Sequence, residues 1–249
     1  MSTKGVADVV FCLDASASMR PCIDGVRAHV ADFVVGLKSN PQITWDLRFD
    51  FVAHSAGTRQ DGVAFYQRSL FNPVLIPALY GGGSQAARFF TADVEEFRRG
   101  LQEVNVMGDE ASLIALDSCL DFPWRDATAC HRAVIFMTDE KFETGVICDE
   151  QRAQLPALQK KIQSLKVMLF IVAPESAAYN ELAAVDRSEY ETVGRQNTGL
   201  ADVNFREVLA YIGKSVSVST LQGTKAEPVT RGLFGQASWS KTTGNIMGS

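Results

Sequence analysis

The sequence predicts an α/β sandwich, one mainly parallel sheet with helices packed against it. Three observations carry this. Short apolar, β-branched runs recur at 6–13, 131–137 and 166–173; stretches of helical spacing lie between them; and strand and helix signals alternate along most of the chain.

The run VADVVFCL at 6–13 has no helical stripe and is apolar on both faces, as a central strand of a parallel sheet must be. From 20 to 37, Val26, Val30, Phe33, Val34 and Leu37 recur at helical spacing, which predicts a long helix covering the sheet. Asn40-Pro41 breaks that pattern. TWDLRFDFV at 44–52 then alternates with a period of two, placing Trp45, Leu47, Phe49 and Phe51 on one face. The charges on its other face predict an edge or partly exposed strand. Between 55 and 91, AFYQRSLF has strand character, but PVLIPALYGGGSQ mixes apolar residues with proline and glycine, so an irregular excursion is expected.

Thr91 is the expected N-cap of the next helix, with Asp93, Glu95 and Glu96 at its start and Arg98 and Arg99 near its end, the order that suits a helix dipole. A helix over 110–120 and a buried strand over 131–137 follow. A helix over 150–165, a third buried strand over 166–173 closed by Pro174, and a last helix over about 203–217 complete the pattern. The expected division is a domain over 1–220 and a flexible Gly/Ser/Thr-rich tail over 221–249, in which Phe234 and Trp239 are candidate anchors for a partner.

Composition narrows the function. The 249 residues carry 24 basic and 29 acidic side chains, a net charge of −5, which gives no general reason to bind nucleic acid or an anionic membrane. No apolar run approaches the ~20 residues of a membrane span. The opening MSTKGVADVV does not read as a signal peptide, and a cytoplasmic location is expected. Cys12, Cys22, Cys119, Cys130 and Cys148 are odd in number and contain no C-x-x-C pair, so buried reduced thiols are expected rather than disulfides or zinc ligands. His29, His54 and His131 share no ligand spacing and read as surface or satisfied core residues. Nucleophile-elbow, P-loop and dinucleotide motifs are absent.

In an open α/β sheet, ligands bind beyond the carboxyl ends of the strands. The first strand ends in Asp14-Ala-Ser16-Ala-Ser18, a carboxylate and two hydroxyls at alternate positions. These are hard oxygen donors suited to Mg²⁺, Mn²⁺ or Ca²⁺, and they exceed what capping a helix requires. The second buried strand ends in Thr138-Asp139, at the same edge of the sheet, and Gly108-Asp109-Glu110-Ala-Ser112 forms a turn between them.

VVFCLDASASM resembles the first strand and D-x-S-x-S loop of von Willebrand factor A domains. MGDEASLIAL resembles their second metal-binding loop, and VIFMTDEKFETG the strand whose terminal aspartate completes the site. The resemblance covers roughly 6–218 and implies a doubly wound sheet carrying a metal-ion-dependent adhesion site. By that likeness Ser16 and Ser18 coordinate a divalent ion, most simply Mg²⁺, through their hydroxyls, while Asp14 and Asp139 act largely through water. The second loop departs from the family's usual threonine and has Glu110 at the equivalent position, with Asp109 and Ser112 as fallback ligands. Three carboxylates around one divalent ion would leave a formal charge near −1, tightening the site for metal and weakening its pull on an acid from a partner.

The resemblance therefore implies a metal-dependent protein-interaction module, not an enzyme and without a small-molecule substrate. Among subfamilies, the chain looks like the TerY-type proteins of bacterial stress and conflict systems, whose associates include kinases, phosphatases and AAA ATPases. The alternative function is Mg²⁺-dependent phosphoryl transfer, since strand-end carboxylates also build such sites. Against it, the position where haloacid-dehalogenase enzymes place a second aspartate is Ser16.

Overall fold

A six-stranded sheet with order β3-β2-β1-β4-β5-β6 organises the molecule. The strands are β1 (Thr3–Asp14), β2 (Ile43–Arg59), β3 (Gly62–Ser69), β4 (His131–Met137), β5 (Val167–Pro174) and β6 (Ser188–Val193). All neighbours pair in parallel except β2 and β3, which are antiparallel. The computed structural model describes residues 3–60, 62–74, 88–194 and 196–222. The expected tail over 221–249, with Phe234 and Trp239, falls outside them apart from its first two positions, as does nearly all of the PVLIPALYGGGSQ stretch.

Alternation along each strand sends side chains to two cores. Phe11, Phe49 and Phe51 pack with Phe33 and Phe97 beneath α1 (Arg20–Leu37), α2 (Val94–Gln102) and α6 (Phe205–Gln222). Val10, Cys12, Phe136 and Ile171 pack beneath α3 (Ser112–Leu120), α4 (Cys148–Leu165) and α5 (Ala177–Ala183). The result is a three-layer, doubly wound sandwich whose strand order reverses between β1 and β4. All five cysteines are free, four of them buried and Cys148 half-buried. Among the described residues no helix is long and apolar enough to cross a membrane.

Several expectations need correction. β2 runs on to Arg59, and β3 covers only its second half from Val52; over 44–51 its outer edge carries just the Phe49–Thr91 bridge and is partly exposed, as expected. On its charged face Asp46 is exposed, whereas Arg48 and Asp50 are drawn into internal pairing. Arg48 and Arg125 both grip the fully buried Asp8, at 2.6 and 2.7 Å. Buried Asp50 accepts from three backbone amides, those of Phe51, Leu70 and Phe90. The N-cap of α2 is Asp93, whose carboxylate accepts from Glu95 N, whereas Thr91 pairs with Phe49 as a short antiparallel bridge. The helix expected from 110 starts at Ser112, because Asp109 and Glu110 are held in the preceding loop.

Helices α1 and α6 meet backbone to backbone. A Cβ on Gly36 would lie 2.0 Å from the Ala210 carbonyl oxygen, and one on Gly213 would lie 2.2 Å from that of Phe33. This close seam lets two long helices cover β1 and β4 side by side.

Candidate metal centre

The strand-order reversal leaves a crevice at the carboxyl ends of β1 and β4, and three loops fill its rim. The first follows β1. Asp14 Oδ1 accepts from Ser16 N at 2.7 Å, which turns the chain so that Ser16 and Ser18 lie on one side, their hydroxyls 3.4 Å apart. Asp14 Oδ2 accepts from Thr138 Oγ1 at 2.8 Å, linking this loop to the end of β4.

From β4 comes Asp139. Its Oδ1 accepts from the Ser18 hydroxyl at 3.0 Å, and its Oδ2 from Gly199 N at 2.5 Å. Asp14 and Asp139 are fully buried, Ser16 nearly so, and Ser18 is half-exposed, so the rim opens to solvent at Ser18.

The loop before α3 is stitched onto its surroundings by backbone bonds. Met107 N donates to Ala15 O, Asp109 and Ala56 exchange two bonds at 2.7 and 2.8 Å, and Val146 N donates to Glu110 O. Gly108 makes this approach possible: its φ is +72°, and a Cβ there would lie 2.1 Å from Ala56 O. The loop delivers Glu110, 7% exposed, towards Ser16 and Asp14. The fallback residues point elsewhere, Asp109 to solvent and Ser112 into the interior beside Tyr179. Of the three, Glu110 is the one the loop turns inward to the crevice.

Electrostatics show what the crevice lacks. Burial raises the Asp14 carboxyl to about 7, opposed by the Ser16 and Thr138 bonds and reinforced by the Asp139 charge. Burial raises Glu110 to about 8, with Asp14 and Glu140 adding to the rise. The charged neighbours acting on both groups are themselves acids, so the converging oxygens lack a counter-charge. Among the described residues no three His, Cys, Asp or Glu side chains form a metal cage on their own. What converges is a mixed set of hydroxyls and carboxylates. Ser18 donates its proton to Asp139 and Ser16 lies between Asp14 and Glu110, an arrangement that leaves hydroxyl lone pairs free for a cation. This chemistry fits a hard divalent ion.

A solved von Willebrand factor type A protein from Catenulispora acidiphila superposes with a TM-score of 0.51 at 17% identity, over 86% of this chain and 43% of that one. The chain has a von Willebrand factor A fold. Proximal thread matrix protein 1 from the mussel byssus superposes with a TM-score of 0.49 at 14% identity, over 87% of this chain and 49% of that one. A second structure of that protein, described as having a zinc-occupied MIDAS motif, gives 0.48 at 14% identity over the same shares. The chain thus spans less than half the length of these proteins. No family model and no curated protein matches its sequence.

Sequence reasoning missed the turn before α6. Gly199, at φ +61°, is pressed against Ser18 O, where a Cβ would approach to 2.2 Å, and its amide holds Asp139. The Asn197-Thr-Gly199 sequence is a turn signal that could have revealed it. His54 was also misread. It is 1% exposed on β2 opposite Asp14, neither ring nitrogen has a partner among the described residues, and burial lowers it to about 3, so it is a buried residue unsatisfied within them.

Proposed function

We propose that this protein is a metal-dependent interaction module, an adaptor or scaffold that binds an acidic residue of a partner protein through a divalent cation, most simply Mg²⁺, at Asp14, Ser16, Ser18, Glu110 and Asp139. The observation that carries the proposal is the Ser18–Asp139 hydrogen bond at the sheet's reversal point, which joins two loops 121 positions apart into one oxygen-lined rim. The ion would supply positive charge and an open position for a partner oxygen. The chain's own residues do the rest. Ser16 and Ser18 present hydroxyl oxygens, Asp14 and Asp139 orient them, and Thr138 and Gly199 fix the two aspartates.

The same geometry disfavours phosphoryl transfer on Asp14. That carboxylate is fully buried and both its oxygens are engaged in positioning bonds, whereas a phosphoacceptor must be open to in-line attack. The TerY-like sequence features support a narrower proposal, a cytoplasmic role in a bacterial stress or conflict complex with a kinase, phosphatase or AAA ATPase. The test is affinity capture with and without Mg²⁺, comparing the wild type with Asp14→Ala. Partners retained only by the wild type and only with Mg²⁺ support the proposal; retention unchanged in both comparisons overturns it.

A further inference from the structure

Beside the metal rim lies a cleft of about 430 Å³ between the β2–β3 ribbon and the loop that follows α2. Ser55 pairs with Tyr66 and Ala53 with Arg68, so these four project from the same side of the ribbon. Val104 and Met107 face them from the loop. Two features set this cleft apart from ordinary surface. Among the described residues five large apolar side chains are exposed, and four of them, Phe65, Tyr66, Val74 and Met107, line it. Scattered apolar residues are normal on a protein surface, but their concentration at one concavity marks a contact site.

The second feature is Arg68, the one arginine or lysine among the described lining residues; His54, also in the lining, is held neutral by burial. The end of α2 holds its guanidinium, one nitrogen donating to Glu103 O at 2.9 Å and another to the Glu103 carboxylate at 3.3 Å. Among the described residues Arg68 Nε is buried without an acceptor. A buried donor left unpaired is costly, so an acceptor that reaches it would be favoured.

The cleft is also continuous with the metal rim. Ala15 forms part of its lining, sits between Asp14 and Ser16, and is bonded to Met107 N and to His54 O. Rim and cleft are thus neighbours, separated by one buried residue, so one extended segment can reach both.

We propose that rim and cleft form one two-part recognition surface for an extended segment of a partner polypeptide: the segment's acidic residue goes to the ion, and a bulky uncharged apolar side chain flanking that residue enters the cleft, where Arg68 Nε donates to a backbone carbonyl. The acidic half rests on the function proposed above; the apolar half does not. A polypeptide suits the cleft because it brings an apolar side chain and a neutral carbonyl acceptor on one unit. A free inorganic anion would leave the rim of Phe65, Tyr66, Val74 and Met107 uncovered.

The test uses a displayed library of random dodecapeptides selected on the full chain in Mg²⁺, with the enriched peptides then synthesised and titrated. Val74→Asp and Met107→Asp alter residues that are 69% and 50% exposed, their folding is checked by circular dichroism, and Val35→Asp, at an exposed apolar residue outside the cleft, is the control. The expected peptides carry Asp or Glu flanked by Leu, Ile, Met or Phe. They bind Val74→Asp and Met107→Asp at least tenfold more weakly, bind Val35→Asp as they bind the wild type, and weaken in EDTA. Binding lost in EDTA yet unchanged in both cleft variants overturns the proposal and leaves the ion reading standing. Binding indifferent to EDTA but lost in the cleft variants supports the cleft and overturns the ion reading. No enrichment over a Val74→Asp/Met107→Asp double variant, or loss of self-association as the sole effect of that double variant, overturns the polypeptide occupant.

Discussion

The Ser18 hydroxyl donates to Asp139 Oδ1 at 3.0 Å, and the second oxygen of the same carboxylate accepts from Gly199 N. Asp139 is thus an orienting group shared by the first loop and the turn before α6. Partners that orient metal ligands typically matter 10–100-fold in affinity. Asp139→Asn and Ser18→Ala should each weaken Mg²⁺ binding by about that factor in isothermal titration while the far-ultraviolet spectrum stays unchanged. Wild-type affinity in both variants would place the ion elsewhere.

The rim also sets a pH dependence. In the folded protein Asp14 holds its proton to about pH 7 and Glu110 to about pH 8, whereas unfolded carboxyls lose theirs near pH 4. These two groups therefore contribute stability that is fully present below about pH 4 and is lost as pH rises through 7 and 8. Cation binding needs both groups ionised. The rise in melting temperature on adding Mg²⁺ should be larger at pH 8.5 than at pH 6, as read by differential scanning fluorimetry. An equal rise at both pH values would separate these carboxylates from the ion.

Glu110 brings a carboxylate of the chain itself to the place where a partner's acid is expected to dock. Replacing it with threonine removes one negative charge from a buried site. Glu110→Thr should bind Mg²⁺ more weakly, by about tenfold or more, and yet bind an acidic partner peptide more tightly at saturating Mg²⁺, because the remaining positive charge is less neutralised. Weaker binding of both would make Glu110 part of the partner's contact instead.

The α1–α6 seam makes a stability prediction with an unusual sign. Glycine to alanine within a helix normally stabilises by up to about 1 kcal/mol. At Gly36 the added Cβ would lie 2.0 Å from Ala210 O, so the helices must separate. Gly36→Ala should destabilise by about 1–3 kcal/mol in urea unfolding, the range of overpacked cores. A stabilised variant would show that the seam relaxes freely.

What the sequence made legible follows from where a single physical signal dominates. The helix over 20–37 and the strand over 131–137 were read to the residue, because apolar periodicity alone defines them. Asp14, Ser16, Ser18 and Asp139 were visible as oxygen donors at strand ends, and the structure brings Ser18 and Asp139 into contact. The second half of β2 was not legible, since Ala53–Arg59 pairs with β3 as a ribbon and carries no apolar alternation. Arg48 suggested solvent because charge patterns do not reveal that the buried Asp8 lies opposite, whereas Asp46 does face solvent beside Arg125. Gly199 and His54 owe their importance to neighbours distant in sequence, Ser18 and Asp139 for one and an unpaired interior for the other.

Asp50 receives the amides of Leu70 and Phe90 on a single carboxylate, so the chain leaves the sheet and returns to it at the same anchor. One side chain therefore tethers two points twenty positions apart in the chain, and losing it would release both at once.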